Sequence, residues 1–255
     1  MQARALTRIA LLALITILLI ASAAGASVIS YTLIGVDSAG DPVSVRADFS
    51  VVAGVLSVDI TNQVVDPKNT GQNVNALAFT LSTNQSTAPN PLTSVATFAR
   101  TVGPTGSFSD VANAPTGWTL QQNFNDGLGL GFRLCVLCAG GAGPDTIIGN
   151  LAGGGTYASA DSSIKGSSNN PFLASVVHYT ITGIPGLTSD AYVDSAFLSF
   201  GTTDRTTLQT HCVERLDVSC QPERHRAPEP SSLLLVGAGL LGLAGFSLRK
   251  RLNTK

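Results

Sequence analysis

Charged and aromatic residues are both scarce in this sequence of 255 residues. Asp, Glu, Lys and Arg make up 12% of it, and Phe, Trp and Tyr make up 6%, whereas 26 glycines and 12 prolines are present. Glycine and proline interrupt helices and form turns. This composition, poor in helix formers and rich in turn formers, favours a loop-rich all-β fold.

Positive charge is scarce between the two ends of the chain. Residues 27–226 contain nine of the fifteen Lys and Arg residues and fifteen of the sixteen Asp and Glu residues, a net charge of −6. Binding to phosphate groups requires clustered positive charge. We therefore expect no nucleic-acid partner.

The side chains that most hydrolases use are few. Only three histidines occur, His178, His211 and His225, and the sequence contains no G-x-S-x-G motif. His178 lies in an alternating, strand-like run and is expected to face solvent. Without a serine placed beside a histidine, no catalytic triad is predicted. We expect no catalytic residue, no cofactor and no enzymatic activity.

Four cysteines are present, and an even number in an exported chain predicts two disulfides. Three pairings are possible, and we favour Cys135 with Cys138 and Cys212 with Cys220, because each pair closes locally. A redox C-x-x-C would instead need a helix N-terminus to lower a thiol pKa. A zinc site shared with His211 lacks a second pair of closely spaced ligands.

Two further residue types suggest binding sites. Loop aspartates are able to ligate Ca²⁺, but no D-x-D-x-D-G pattern occurs, and an aspartate in a turn more often binds its own backbone. Trp118, the single tryptophan, is either a platform for a sugar ring or part of the core. We predict no metal site; the aspartates considered are Asp37, Asp41, Asp145, Asp161, Asp190 and Asp194.

The N-terminal residues have the pattern of a secretory signal peptide. Arg4 and Arg8 precede the apolar run 9–20, and small residues follow. We place cleavage after Ala26, with Ala24 at the −3 position, and Ala23 is the second choice. The alternative is an uncleaved anchor, but the run is shorter than the ~20 residues of a spanning helix.

The C-terminal residues have the pattern of a single membrane-spanning helix. Residues 233–248 are apolar and precede Arg249, Lys250 and Arg251. As a helix they would extend about 24 Å, somewhat less than the ~30 Å hydrocarbon core. By the positive-inside rule the basic end stays cytoplasmic, which places the body on the far side of the inner membrane.

This C-terminal region resembles the PEP-CTERM sorting signal. Pro228, Glu229 and Pro230, the Gly- and Leu-rich run 233–245 and the basic cluster follow one another in the order of that family. The resemblance implies that an exosortase, a membrane-embedded protease or transpeptidase, recognises the tripeptide and removes the tail. It also implies a Gram-negative bacterium that makes extracellular polysaccharide. The alternative is a permanent anchor that associates through its small residues.

The body between these signals alternates between apolar and polar residues in eight segments. Turn-forming clusters separate them, and a tight turn is predicted at Ala53-Gly54. This pattern predicts an all-β antiparallel sandwich or jelly roll, with a signal helix before it and a transmembrane helix after it. The segments are 28–34, 43–52, 55–61, 74–81, 92–102, 128–134, 172–182 and 192–200.

We therefore divide the chain into a signal peptide at 1–26, a β-sandwich body at 27–221, a linker with the tripeptide at 222–230 and a transmembrane sorting segment at 231–255. The expected function is that of a non-enzymatic structural or interaction protein of the cell surface or extracellular matrix, with surface polysaccharide as a further partner. The alternatives are a secreted carbohydrate-binding module and a secreted hydrolase.

Overall fold

In the computed structural model of the protein, the segments that alternate between apolar and polar residues form antiparallel sheets. The structure describes residues 28–37, 39–89, 92–125, 129–138, 147–149, 157–166 and 168–202, together with the backbone of 210–213 and 223–225. The predicted signal helix and transmembrane helix lie outside the described residues. None of the described residues forms a helix long and apolar enough to cross a membrane.

The described residues form twelve strands, which belong to two sheets. The first has the order β12-β1-β2-β3-β9-β5-β6, and the second has the order β11-β10-β4-β8-β7. Every strand pair is antiparallel, so the predicted all-β antiparallel fold is confirmed. The strands are β1 Val28–Val36, β2 Pro42–Val52, β3 Val55–Asn62, β4 Val74–Leu81, β5 Thr93–Val102, β6 Phe108–Ala114, β7 Thr119–Asn125, β8 Leu130–Cys135, β9 Phe172–Ile181, β10 Val193–Phe200, β11 Thr210–Val213 and β12 Glu223–His225.

The β2–β3 hairpin shows how the sequence sets the local structure. Val52 pairs with Val55, and Ala53 and Gly54 between them have φ values of 50° and 79°. Two central residues with positive φ match the twist of the flanking strands, and glycine adopts that conformation without strain. The tight turn predicted at this position is confirmed, and every second residue of both strands is buried.

Four aromatic rings connect the two sheets through the core. Tyr31 and Phe49 of the first sheet have ring centroids 5.8 Å apart, Phe49 lies 5.3 Å from Phe79 of the second sheet, and Phe79 lies 5.6 Å from Phe132. The Tyr31 hydroxyl donates to the Val193 carbonyl of β10 at 2.6 Å. Aromatic burial of this extent is a major stabilising contribution to a fold of this size.

Residues Ile147–Gly149 join the sheets at one side. Ile148 exchanges two backbone hydrogen bonds with Val74 of β4, at 2.8 and 2.9 Å. The Leu173 N–H of β9 donates to the Ile147 carbonyl at 3.0 Å, and the Gly149 N–H donates to the Leu173 carbonyl at 2.8 Å. A three-residue segment thus pairs with one strand of each sheet.

A second, smaller apolar cluster lies beside β5 and β9. It contains the buried side chains of Val102, Ile147, Tyr157, Ala160, Ile164 and Phe172. Arg100 projects from β5 next to this cluster, with its guanidinium carbon 3.6 Å from the Phe108 ring centroid. The guanidinium is also paired with Asp110 of β6. Burial of an arginine in this way requires a charge partner.

Tyr179 carries a hydroxyl that the core does not satisfy. Its side chain is fully buried against Trp118, and its hydroxyl has no hydrogen-bond partner among the described residues. Burial raises the pKa of this phenol well above 10.0. Since an unpaired buried hydroxyl costs about 1–3 kcal/mol, we expect Tyr179→Phe to stabilise the protein by about 1 kcal/mol at pH 7.

The same substitution should change how stability depends on pH. Above pH 10 the unfolded Tyr179 loses its proton while the folded phenol keeps it, so the free energy of unfolding falls by up to about 1.4 kcal/mol per pH unit. Urea unfolding at pH 7 and pH 11 measures both effects. Tyr31→Phe is the control, and loss of its bonded hydroxyl should destabilise the protein by about 1 kcal/mol. Equal responses of the two variants would contradict the assignment.

Candidate functional site

Several predicted functional residues lie outside the described residues. These are the tripeptide Pro228, Glu229 and Pro230, the cleavage-site residues Ala24 and Ala26, and also Cys220 and Asp145. Only the backbone of His211, Cys212 and His225 is described. The signals at the ends of the chain, and the predicted Cys212–Cys220 pair, therefore remain predictions from sequence.

Cys135 and Cys138 lie at disulfide distance. Their Cα atoms are 5.7 Å apart, and the two sulfur atoms are bonded. Cys135 is the last residue of β8, and its side chain is fully buried. Because the pair follows a strand and not the start of a helix, it lacks the electropositive setting of a redox C-x-x-C. Its position is that of a structural link closing the turn after β8.

A row of polar side chains crosses the first sheet from strand to strand. The register pairs Ser30 with Asp48, Asp48 with Asp59, and Asp59 with His178. Directly opposed residues share one face of a sheet. The Ser30 hydroxyl donates to Asp48, and Arg46 is paired with Asp48 at 2.8 Å. Hydrogen bonds join Ser30 and Arg46 to Asp48 and, separately, His178 to Asp59. Ser30 is buried, whereas the side chains of Asp59 and His178 are partly exposed.

His178 lies at the centre of a hydroxyl, imidazole and carboxylate series. Its Nδ1 is 2.5 Å from Asp59 Oδ1, and its Nε2 is 3.2 Å from Thr180 Oγ1. A carboxylate only accepts, so Nδ1 is the donor to Asp59. Thr180 Oγ1 is able to donate to Nε2 or to accept from it, according to whether Nε2 carries a proton. The side chains of His178 and Asp59 are 44% and 42% exposed. His178 therefore faces solvent, as the alternation predicts.

Among the described residues, strand β9 offers no oxyanion donor beside this series. Strand β9 lies between β3 and β5, so its backbone N–H groups take part in sheet pairing on both sides. They are not available as donors for an oxyanion, which acyl transfer requires. Thr180 and Asp59, at the two ends of the series, are also accessible to water, which weakens the electrostatic effect of the Asp59 carboxylate on His178.

A second polar cluster lies at the β1–β2 hairpin and the loop before β4. Asp37 Oδ1 accepts from the N–H groups of Ala39 and Asp41, at 2.9 and 2.8 Å. Asp41 is paired with Lys68 Nζ at 2.6 Å and accepts from Asn69 Nδ2 at 3.0 Å. Asp41, first through its hydrogen bond and then through its charge, raises the pKa of Lys68, and Asp37 raises it further. Asn69 and Gly71 of this cluster were not singled out by the sequence, because no local pattern links them to Asp37.

Two of the other loop aspartates, Asp161 and Asp190, form hydrogen bonds with residues close to them in the sequence. Asp161 Oδ1 accepts from the Ser163 N–H at 2.8 Å, which is the backbone role predicted for aspartate in turns. A hydrogen bond from Thr188 and one from its own backbone lower the pKa of Asp190. Asp194 is exposed on β10. Within the described part of the chain, no three Asp, Glu, His or Cys side chains are close enough to share a metal.

Trp118 is a core residue. Its side chain is 5% exposed, and its ring centroid lies 5.4 Å from that of Tyr179. A sugar platform needs an exposed ring face, so Trp118 does not provide one. Of the two interpretations of this tryptophan, core packing is the one the structure supports.

These residues define an all-β protein with two antiparallel sheets and a hydrogen-bonded polar face. The C-terminal residues indicate more specifically what kind of protein this is. Residues 226–251 match the model of the PEP-CTERM protein-sorting motif, so the chain carries this motif. The motif implies an exported protein that an exosortase-type system sorts to the cell envelope. Comparison of the chain with curated proteins and with solved structures finds no match.

Proposed function

We propose that this protein is a non-enzymatic structural or interaction protein, displayed at the cell surface or released into the extracellular matrix. The observation that carries the proposal is the sorting motif at residues 226–251. A signal peptide at 1–26 exports the chain, the segment 231–255 holds it in the inner membrane, and an exosortase-like enzyme cuts near Pro228, Glu229 and Pro230. The body is then released or transferred to surface polysaccharide.

The physical chemistry of the tripeptide supports cleavage at this place. Proline fixes φ, lacks an N–H and biases the preceding residue toward extended backbone. Pro-Glu-Pro therefore favours an extended, unpaired segment just before the apolar run, where a membrane-embedded protease is able to bind it. Glycines within the run at 237, 239, 242 and 245 allow close approach of another helix.

One observation disfavours the hydrolase, and another disfavours the carbohydrate-binding module. The series Thr180, His178 and Asp59 is open to solvent and lacks oxyanion donors from its own strand. Buried Trp118 removes the aromatic platform on which a carbohydrate-binding module of that kind would rely. Polysaccharide remains a partner through attachment of the processed chain, or through the hydroxyl and carboxylate groups of the polar row.

The test is the intact mass of the mature protein from its native host, with peptide mapping of both ends. We expect a chain that begins at Ser27 and ends near Pro230, with or without an added group. A mature chain that retains residues 233–255 would mean a permanent anchor and would overturn the processing step. Turnover of an ester or glycan panel that His178→Ala abolishes would replace the proposal with the hydrolase.

A further inference from the structure

The β1–β2 hairpin buries a carboxylate oxygen that no cationic side chain of the described residues contacts. Asp37 is 4% exposed, and two backbone N–H groups satisfy its Oδ1. Its Oδ2 has no hydrogen-bond partner among the described residues. An anionic oxygen is costly to bury without a partner, and in native proteins such a group usually meets a donor or a cation.

Other oxygen atoms converge on the same place. A Cβ added to Gly71 would lie 3.0 Å from Asp37 Oδ2 and 2.6 Å from Asn69 Oδ1, so both oxygens border the small space beside the Gly71 Cα. Asn69 Oδ1 accepts from the Gly71 N–H at 2.7 Å, and this hydrogen bond fixes its position and leaves its second lone pair for a ligand. Asn69 holds Asp41 through its Nδ2 at 3.0 Å. The hairpin fixes Asp37 relative to Asp41, because the Asp37 N–H donates to the Asp41 carbonyl at 2.7 Å.

The charge of this cluster is negative even with its one cation included. Lys68 Nζ lies 2.6 Å from Asp41 Oδ1, but its side chain is 58% exposed and Asp37 Oδ2 does not contact it. Asp161 lies alongside, since its N–H donates to the Lys68 carbonyl at 2.7 Å. A divalent cation would neutralise both aspartates more completely than the single ammonium group does.

We propose that Asp37, Asp41 and Asn69 bind a calcium ion, with Asp37 Oδ2 and Asn69 Oδ1 as fixed ligands and water completing the shell. All three residues offer hard oxygen ligands, which Ca²⁺ prefers, and neither thiolate nor imidazole is among them. Three protein residues give a weak site, with an expected Kd of about 10⁻⁴ to 10⁻³ M, as in extracellular modules. Calcium competes with Lys68 for Asp41 and holds the β1–β2 hairpin against the loop before β4.

The experiment is calcium titration of the full-length chain in mild detergent, followed by thermal unfolding through Trp118 fluorescence. At 10 mM Ca²⁺ we expect Tm to rise by about 3–5 °C, and by less with Mg²⁺, which demands stricter geometry. Asp37→Asn keeps the Oδ1 hydrogen bonds of the hairpin and removes the charge on Oδ2. This variant should lose the calcium response.

Two further variants keep the proposal falsifiable. Lys68→Gln removes the competing ammonium, so calcium should bind severalfold more tightly, and this holds even if Asp37→Asn fails to fold. Asp190→Asn is the matched control, because this exposed aspartate also accepts hydrogen bonds, from Thr188 and from its own backbone, and the calcium response of this variant should equal that of the wild type. The absence of a calcium response in the wild type, an unchanged response in Asp37→Asn or an unchanged affinity in Lys68→Gln would overturn the site. An equal response to Mg²⁺ would overturn the assignment to calcium.

Discussion

A chain in which Pro228, Glu229 and Pro230 are all changed to alanine is expected to keep residues 233–255 almost entirely. Alanine restores the backbone N–H groups and permits helical φ and ψ, so the helix predicted for the apolar run would extend upstream through the former tripeptide. The enzyme then meets a helix where it needs an extended segment. Intact mass of the membrane and extracellular fractions measures the result, and the wild-type mass should disappear from the extracellular fraction.

The body offers a matched control for this variant. Pro89, Asn90 and Pro91 form another Pro-x-Pro sequence, more than a hundred residues before the apolar run in the chain. Their replacement by alanine should leave processing unchanged, because the sequence lies far from the apolar run. Normal processing of the first variant would show that the tripeptide is not the element recognised.

Removal of the Asp110 carboxylate is expected to be the most destabilising single change among the ion pairs described. Arg100 donates to both oxygens of Asp110, at 2.7 and 2.6 Å, and its side chain is 5% exposed. Asp110→Ala leaves this buried charge unpaired. Loss of one partner of a buried pair typically costs about 3–5 kcal/mol, and we expect a decrease of about 3 kcal/mol in the free energy of unfolding.

Arg100→Met should cost less than Asp110→Ala, because Asp110 is 23% exposed and water is able to solvate it once the arginine is gone. The double variant should be more stable than Asp110→Ala alone, since methionine buries no charge beside Phe108. Urea unfolding of the three variants measures the coupling. Additive losses would show that the unpaired charge is not the cause.

The surface pair of Arg46 and Asp48 is the control for burial. Its contact of 2.8 Å is similar, but its side chains are 38% and 25% exposed. Exposed pairs contribute about 0–1 kcal/mol, and Asp48 also accepts from the Ser30 hydroxyl, so Asp48→Ala should lower the free energy of unfolding by about 1–2 kcal/mol. This loss should still be smaller than that of Asp110→Ala, because water solvates the exposed Arg46 once Asp48 is gone.

Most of the strands were predictable because one of their faces is buried. Each of the eight alternating segments overlaps a strand, and the segment 74–81 coincides with β4. Strands β6, β7, β11 and β12 lie outside the predicted segments. The sequences of β6 and β7, FSDVANA and TLQQNFN, are exposed over most of their length. A strand without a buried face shows no alternation of apolar and polar residues, because backbone hydrogen bonding does not depend on side-chain polarity.

The polar sites were less accessible to prediction than the strands. The row from Ser30 to His178 depends on which strands are neighbours, and strand β9 pairs with β3 although more than a hundred residues separate them in the chain. The sequence shows that Asp59 and His178 take outward positions, but not that they meet. The position of Gly71 beside Asp37 likewise depends on a loop whose course no local pattern specifies.

The bridge at Ile147–Gly149 has a consequence for how the body comes apart. Because Ile148 and its neighbours bond to Val74 in one layer and to Leu173 in the other, neither layer is able to move away from its partner without breaking those bonds. These hydrogen bonds therefore couple the two sheets at this side of the body. We therefore expect the two sheets to unfold together as long as residues 147–149 keep their hydrogen bonds to Val74 and Leu173.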